Sequence, residues 1–175
     1  MICPDCKHDN IPGADFCESC GHDLHGLDLP HARDAFTEHL MNDKLGDIAT
    51  REALVVAPTD PVALAIALMQ RGAQGCVVVK KGDKLVGILT ERDVLLKAAG
   101  DNVDLNALTA AELMTPDPVA LRAEDSLATA LHKMSVGEFR RIPLVENGRV
   151  TKVVSIRDVF RHVSAFIDIQ PTRSR

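Results

Sequence analysis

Tryptophan and tyrosine are absent from this chain, and aromatics make up only 3% of its 175 residues, all of them Phe. That leaves little on which nucleic-acid bases could stack. Long hydrophobic runs are missing as well. The longest apolar stretches, such as residues 62–69, fall far short of the roughly 20 residues a membrane span needs. A basic excess is also lacking: 20 Lys and Arg stand against 25 Asp and Glu, a net charge of −5, which argues against a generic nucleic-acid binder. The chain opens Met1-Ile2-Cys3-Pro4-Asp5-Cys6, without a basic and then apolar leader. The expectation is therefore a cytoplasmic protein with no membrane attachment, in a compartment where structural disulfides are rare. What the chain does have is 46% hydrophobic and 26% charged residues, enough to fold as one ordinary domain or as two small ones sharing a core.

Four of the five cysteines fall within the first twenty residues, as Cys3, Cys6, Cys17 and Cys20, in the pattern C-x2-C-x10-C-x2-C. Each C-x2-C pair forms a tight knuckle that aims two sulfurs at one point, and two knuckles supply the four thiolates that suit tetrahedral zinc. Asn10, Pro12 and Gly13 fit a short hairpin between the knuckles, and Gly21 suits the crowded end of the second. A segment of about 26 residues cannot bury enough apolar surface to fold alone. Structural zinc supplies roughly 10–16 kcal/mol of apparent binding free energy at neutral pH. Two disulfides, a redox pair at Cys3 and Cys6, and iron in the same ligand set are the competing readings. His8, His22 and His25 are candidate ligands only if the four sulfurs do not already close the shell. Residues 3–24 resemble the short zinc-ribbon modules at the ends of many bacterial and archaeal proteins.

The charge is not evenly spread. Residues 1–28 hold one base, Lys7, against Asp5, Asp9, Asp15, Glu18, Asp23 and Asp28, so the remainder is balanced. A zinc bound by four thiolates adds about −2 more. Such a surface repels phosphate backbones, which disfavours nucleic acid as a partner and favours a protein contact or a purely structural role.

From about Asp47 the chain repeats itself at a shift of 65 residues. Asp47-Ile48-Ala49-Thr50 falls on Glu112-Leu113-Met114-Thr115, Met69 on Met134, Gly72 on Gly137, and Arg92-Asp93-Val94 on Arg157-Asp158-Val159. The period is too long for a solenoid unit, so two copies of a small α/β motif are implied. In the first copy Asp60 is positioned to cap a helix that starts at Pro61 and ends at Gly72. Cys76-Val77-Val78-Val79 reads as a buried strand, Lys81-Gly82-Asp83 as a turn, and residues 85–89 as a second strand. A helix over residues 90–99 follows and stops at Gly100. The second copy gives a helix over 125–136, strands over 142–145 and 150–154 joined by an Asn147-Gly148 hairpin turn, and a final helix from Ser155. Each copy is strand-helix-strand-strand-helix, and the two are expected to pack through their sheets.

The repeated chemistry is Gly87-Ile88-Leu89-Thr90-Glu91-Arg92-Asp93, matched by Lys152-Val153-Val154-Ser155-Ile156-Arg157-Asp158. A hydroxyl at a strand end with a carboxylate three residues on suits a nucleotide. Free amides at the helix start bind phosphate, aspartate accepts from ribose hydroxyls, and arginine reaches phosphate. The same spacing is also close to a helix capping box, and one copy alone would favour the cap. Its recurrence at matching positions strengthens the ligand reading.

Residues 45–170 resemble a pair of CBS domains, the arrangement also called a Bateman module. The resemblance rests on Leu113-Met114-Thr115-Pro116, on Arg140-Arg141-Ile142-Pro143-Leu144-Val145, and on the two Thr/Ser-x-Arg-Asp-Val segments. It implies an α/β fold of two motifs with pseudo-twofold symmetry and two clefts. Those clefts would take AMP, ADP, ATP or S-adenosylmethionine. Asp93 and Asp158 would hold ribose, Thr90 and Ser155 ribose or phosphate, and Arg92 and Arg157 phosphate. Cys76, Val77, Arg141, Ile142 and Pro143 would line the base pocket. Arg140 and Arg141, with Lys152 where the first copy has Gly87, would make one cleft more basic and favour phosphorylated ligands; the alternative is that Lys152 crowds the sheet and spoils that cleft.

Cys76 itself reads as a small buried hydrophobe. His31, His39, His132 and His162 lack metal spacing and read as surface or cap residues. Ala32, Ala35, Phe36, Leu40 and Met41 form an apolar stripe after the Asp28-Leu29-Pro30 break. The expected organisation is a zinc ribbon over 1–26, a linker or helix over 27–44, CBS motifs over 45–103 and 104–170, and a tail over 171–175. The expected protein is a non-enzymatic sensor of adenosine-containing ligands, a homodimer, with its ribbon meeting a protein partner. A nucleic-acid-binding or transcription-associated ribbon protein regulated by the pair is the alternative.

Overall fold

The computed structural model describes residues 2–11, 14–24, 35–49, 51–98 and 103–167. Pro12, Gly13, His25, the break at Asp28-Leu29-Pro30, His31, Ala32, the stop at Gly100 and the tail lie outside them. The chain divides into two compact units, Met1–Arg33 and Asp34–Arg175.

In the first unit each knuckle is closed by the same pair of backbone bonds. The Cys3 amide donates to the His8 carbonyl and the Lys7 amide to the Cys3 carbonyl; Cys17 and Gly21 repeat this with His22 and Cys17. The residue after each second cysteine takes a left-handed backbone, with φ +63° at Lys7 and +71° at Gly21. A Cβ at Gly21 would meet nothing within 4 Å. The glycine therefore serves its backbone angle and relieves no crowding, which corrects the sequence expectation. Cys3, Cys17 and Leu24 form a small buried cluster.

The second unit opens with α1 (Ala35–Asn42) and α2 (Leu45–Ile48). The first copy then runs β1 (Val55–Val56), α3 (Val62–Gly72), β2 (Cys76–Lys81), β3 (Lys84–Thr90) and α4 (Glu91–Lys97). The second runs α5 (Ala110–Leu113), β4 (Thr115–Pro116), α6 (Leu127–Gly137), β5 (Arg141–Glu146), β6 (Arg149–Ser155) and α7 (Ile156–Ser164). One sheet has the order β1-β2-β3-β4, with β1 parallel to β2 and the other neighbours antiparallel; the other pairs β5 with β6. A single parallel bridge, Leu121 to Leu144, stands where the first strand of the second copy was expected.

The hairpin turns form as expected, with positive φ at Gly82, Asn147 and Gly148. Two helix ends differ from expectation. Asp60 does not cap α3: its carboxylate turns back to accept from the Ala57 amide at 2.7 Å, and Asp125 does the same to Arg122. The left-handed residue that stops α3 is Ala73, at φ +47°. Gly72 remains inside the helix, where a Cβ would stand 3.0 Å from the Leu54 side chain.

Strand β2 is buried on both faces. Val77 and Val79 face a core with Val62, Ala65, Met69 and Leu89. Cys76 and Val78 face a seam with Ile88 and with Val150 and Val153 of the second copy. The copies thus pack sheet against sheet, as the repeat led us to expect. Their short leading helices are exchanged. Leu45 and Ile48 of α2, ahead of the first copy, are buried among Leu127, Ile142, Leu144, Val154 and Val159 of the second. Ala110 and Leu113 of α5, ahead of the second copy, are buried among core residues of the first. The backbone repeats the exchange, Leu45 and Leu127 bonding to Asp125 and Asp43, and Ala110 and Val62 to Asp60 and Leu108. Phe36 and Leu40 of the apolar stripe pack on the second core, while Ala35 and Met41 are exposed.

Candidate functional site

The two motifs fold into the same device. Strand β3 ends at Thr90, which caps α4; its hydroxyl accepts from the Asp93 amide at 3.2 Å. In return Asp93 Oδ2 accepts from the Thr90 amide at 3.0 Å and from the Thr90 hydroxyl at 2.6 Å. Ser155 and Asp158 reproduce all three bonds at the start of α7, at 3.3, 2.9 and 2.6 Å. The capping box is therefore real in both copies, and it occupies one oxygen of each carboxylate.

The other oxygens differ. Asp93 Oδ1 meets the Lys97 ammonium at 3.0 Å and the Thr115 hydroxyl at 3.3 Å. Burial opposes the Asp93 charge, but the Thr90 hydroxyl and the Lys97 ammonium outweigh it and hold the carboxyl below its ordinary range. Asp158 Oδ1 has Arg161 at 3.7 Å. The residue equivalent to Lys97 is His162, and it turns instead to Asp43. Asp158 borders an open depression of about 200 Å³ with Asp47, Ile48, Arg161 and His162.

Arg92 and Arg157 are exposed in the first turns of α4 and α7. Cys76 pairs across the hairpin with Thr90, and Arg141 with Ser155. Val77, Ile142 and Pro143 are buried. Cys76 is buried too, which pushes its thiol up to about 11 and suits a small hydrophobe rather than a nucleophile. Arg141 does not simply make its own copy basic. Its guanidinium crosses to the first copy and pairs with Glu91 at 3.4 Å. A Cβ at Gly75 would collide with both of these side chains. Crowding at Gly87 is likewise specific, since a Cβ there would strike the Met114 sulfur. The second copy has Lys152 at this place, and the residue equivalent to Met114 is the smaller Ala49.

The four cysteines Cys3, Cys6, Cys17 and Cys20 bring their sulfurs within 4.8 Å of one another. Cys3 and Cys20 are 3.6 Å apart and Cys6 and Cys17 3.5 Å. Tetrahedral zinc with Zn–S of about 2.3 Å sets sulfurs about 3.8 Å apart, so the quartet fits such an ion. His22 is not among them; it pairs with Asp5 at 2.8 Å. A second grouping, His39, Asp43 and His162, was not foreseen. His39 and His162 lack metal spacing in the sequence, yet the fold places both rings on one carboxylate.

The CBS domain profile matches residues 45–100 and 110–165, so the chain belongs to the CBS domain family. The CBS domain-containing protein CBSCBSPB3 of Arabidopsis thaliana is 31% identical over 124 residues, which cover 69% of this chain and 22% of that protein. A CBS-domain containing protein from Agrobacterium tumefaciens shares the fold at a TM-score of 0.62, with 27% identity over 68% of this chain and 98% of its own. CBSX2, solved in complex with AMP, shares it at a TM-score of 0.60, with 23% identity over 70% of this chain and 97% of its own.

Proposed function

We propose that this protein is a non-enzymatic regulatory sensor. Its CBS pair binds adenosine-containing ligands, AMP, ADP, ATP or S-adenosylmethionine, and a structural zinc ribbon presents the outcome to a protein partner in the cytoplasm. The observation that carries the reading is the duplicated junction at Thr90–Asp93 and Ser155–Asp158. In each, the cap holds one carboxylate oxygen and fixes the side chain, so that the outer oxygen faces away from the cap; ribose hydroxyls would bond to it, in competition with Lys97 and Thr115 at Asp93. Arg92 and Arg157 are placed for phosphate, and Cys76, Val77, Arg141, Ile142 and Pro143 line the base side. Asp158 is the better acceptor, because Lys97 and Thr115 compete for Asp93. Zinc is held by Cys3, Cys6, Cys17 and Cys20, and two chains form a homodimer.

A thermal-shift panel of the adenine nucleotides and S-adenosylmethionine tests the ligand. A ligand at 100 times its Kd adds about 2.7 kcal/mol of stability. No shift with any of them defeats the sensing function, and a solution mass of one chain defeats the homodimer.

A further inference from the structure

We propose that His39, Asp43 and His162 form a second metal site, which takes zinc or a neighbouring divalent first-row ion. Residues 39 and 43 lie one turn apart. The Asp43 amide donates to the His39 carbonyl at 3.0 Å, so the turn of α1 carries on to Asp43 and aligns the two side chains. His39 Nδ1 stands 2.9 Å from Asp43 Oδ2. His162 arrives from α7, 119 residues away, and aims Nε2 at the same oxygen. All three ligand atoms lie within 4.8 Å of one another, on side chains 25–33% exposed.

Two imidazole nitrogens and a carboxylate are a borderline donor set that suits zinc. Zn–N and Zn–O bonds of about 2.0–2.2 Å set donors roughly 3.3 Å apart. Both imidazole nitrogens converge on Asp43 Oδ2, and each of these N···O contacts need lengthen by under about 1 Å to reach that spacing around an ion. Aromatic packing holds the two rings. Phe166 stacks on His39 at 3.4 Å and 17°, and meets the His162 ring edge-on at 5.5 Å, so both rings are held in orientation. His162 also lines the open depression beside Asp47 and Asp158, so this ring is reached from solvent. Three protein ligands leave a fourth position for water. The competing explanation is a hydrogen-bonded cluster that merely ties α1 to α7, and it predicts no metal here.

The test uses the full chain, stripped by chelator under reducing conditions and reloaded with cobalt(II). The unmodified chain should hold two cobalt ions, only one of which shows thiolate-to-metal charge transfer. His39→Gln and His162→Gln should each drop the content from two ions to one with the charge-transfer band intact, a band that also reports that the cysteine knuckles remain folded. One ion with thiolate absorption in the unmodified chain overturns the proposal, as does retention of two ions by both variants. One ion without thiolate absorption upholds the His–Asp–His site and counts instead against metal at the four cysteines.

Discussion

Truncating Leu45 to alanine tests the exchanged helices directly. Leu45 precedes the first repeat in the chain and belongs to it by sequence, yet its side chain is fully buried in the core of the second, among Leu127, Ile142, Leu144 and Val154. The loss combines the transfer of the removed methyl and methylene groups with the cavity left behind, about 3–5 kcal/mol for a site that cannot collapse. The neighbours of Leu45 belong to the paired strands β5 and β6 and to α6 and α7, which hold one another in place. The expected cost is about 3 kcal/mol, a large fraction of the stability of an ordinary domain. At roughly 2–4 °C per kcal/mol, the melting midpoint should fall by about 10 °C. Urea unfolding should be followed by far-UV circular dichroism and by the exchange protection of the β5–β6 amides. Both should move together, and the β5–β6 amides should lose protection although the substitution lies in the other repeat. Asp47→Ala, exposed on the same short helix, should stay within about 0.5 kcal/mol. A Leu45→Ala loss below about 1 kcal/mol, or unfolding confined to the first copy, would refute the exchange.

Other expectations follow from the site. Asp158→Asn keeps an acceptor for the Ser155 cap but loses the charge, so stability should change by less than about 1 kcal/mol while ligand affinity falls roughly tenfold to a hundredfold; unchanged affinity by calorimetry would remove Asp158 from the binding role. The folded-state carboxyl of Asp93 ionises below its unfolded value, so its contribution is complete at neutral pH and is lost as pH falls below about 4. Acid unfolding of Asp93→Asn should accordingly show a shallower dependence in that range than the unmodified chain. Gly87→Ala should cost about 1–3 kcal/mol through the clash with Met114, and Met114→Ala in the same chain should restore part of it; additive losses would mean the two residues do not share the space.

The repeat, the helix-strand-strand-helix order within each copy and the four-cysteine cluster are legible in the sequence, because each leaves a local or periodic trace; the short helices α2 and α5 are not, and the first strand expected in the second copy is only the Leu121-to-Leu144 bridge. The cysteine spacing alone brings four sulfurs together, and hairpin residues such as Asn147 and Gly148 carry their backbone angles in their identity. Asp60 is ambiguous in sequence because an aspartate before a helix can accept from an amide of the coming helix or, as here, from the amide three residues before it. The exchange of α2 and α5 was hidden for a different reason. A repeat reveals which segments are equivalent, but not which copy each one packs against. His39 and Asp43 carried a visible signal in their four-residue spacing on a helical stripe, whereas His162 carried none, since only the tertiary fold carries a residue across 119 positions.

The reciprocal exchange of α2 and α5 bears on how such a chain came to be. A single repeat would leave its leading helix without a core to enter and its core without a helix. It could be satisfied only by trading helices with a second copy of itself, as a domain-swapped dimer. The present chain has that dimer's connectivity written into one polypeptide. Joining the halves replaces a concentration-dependent encounter with an internal one at millimolar effective concentration. The fused pair therefore keeps its seam at any dilution, and its two copies are free to diverge, as Gly87 and Lys152 have done, without losing each other.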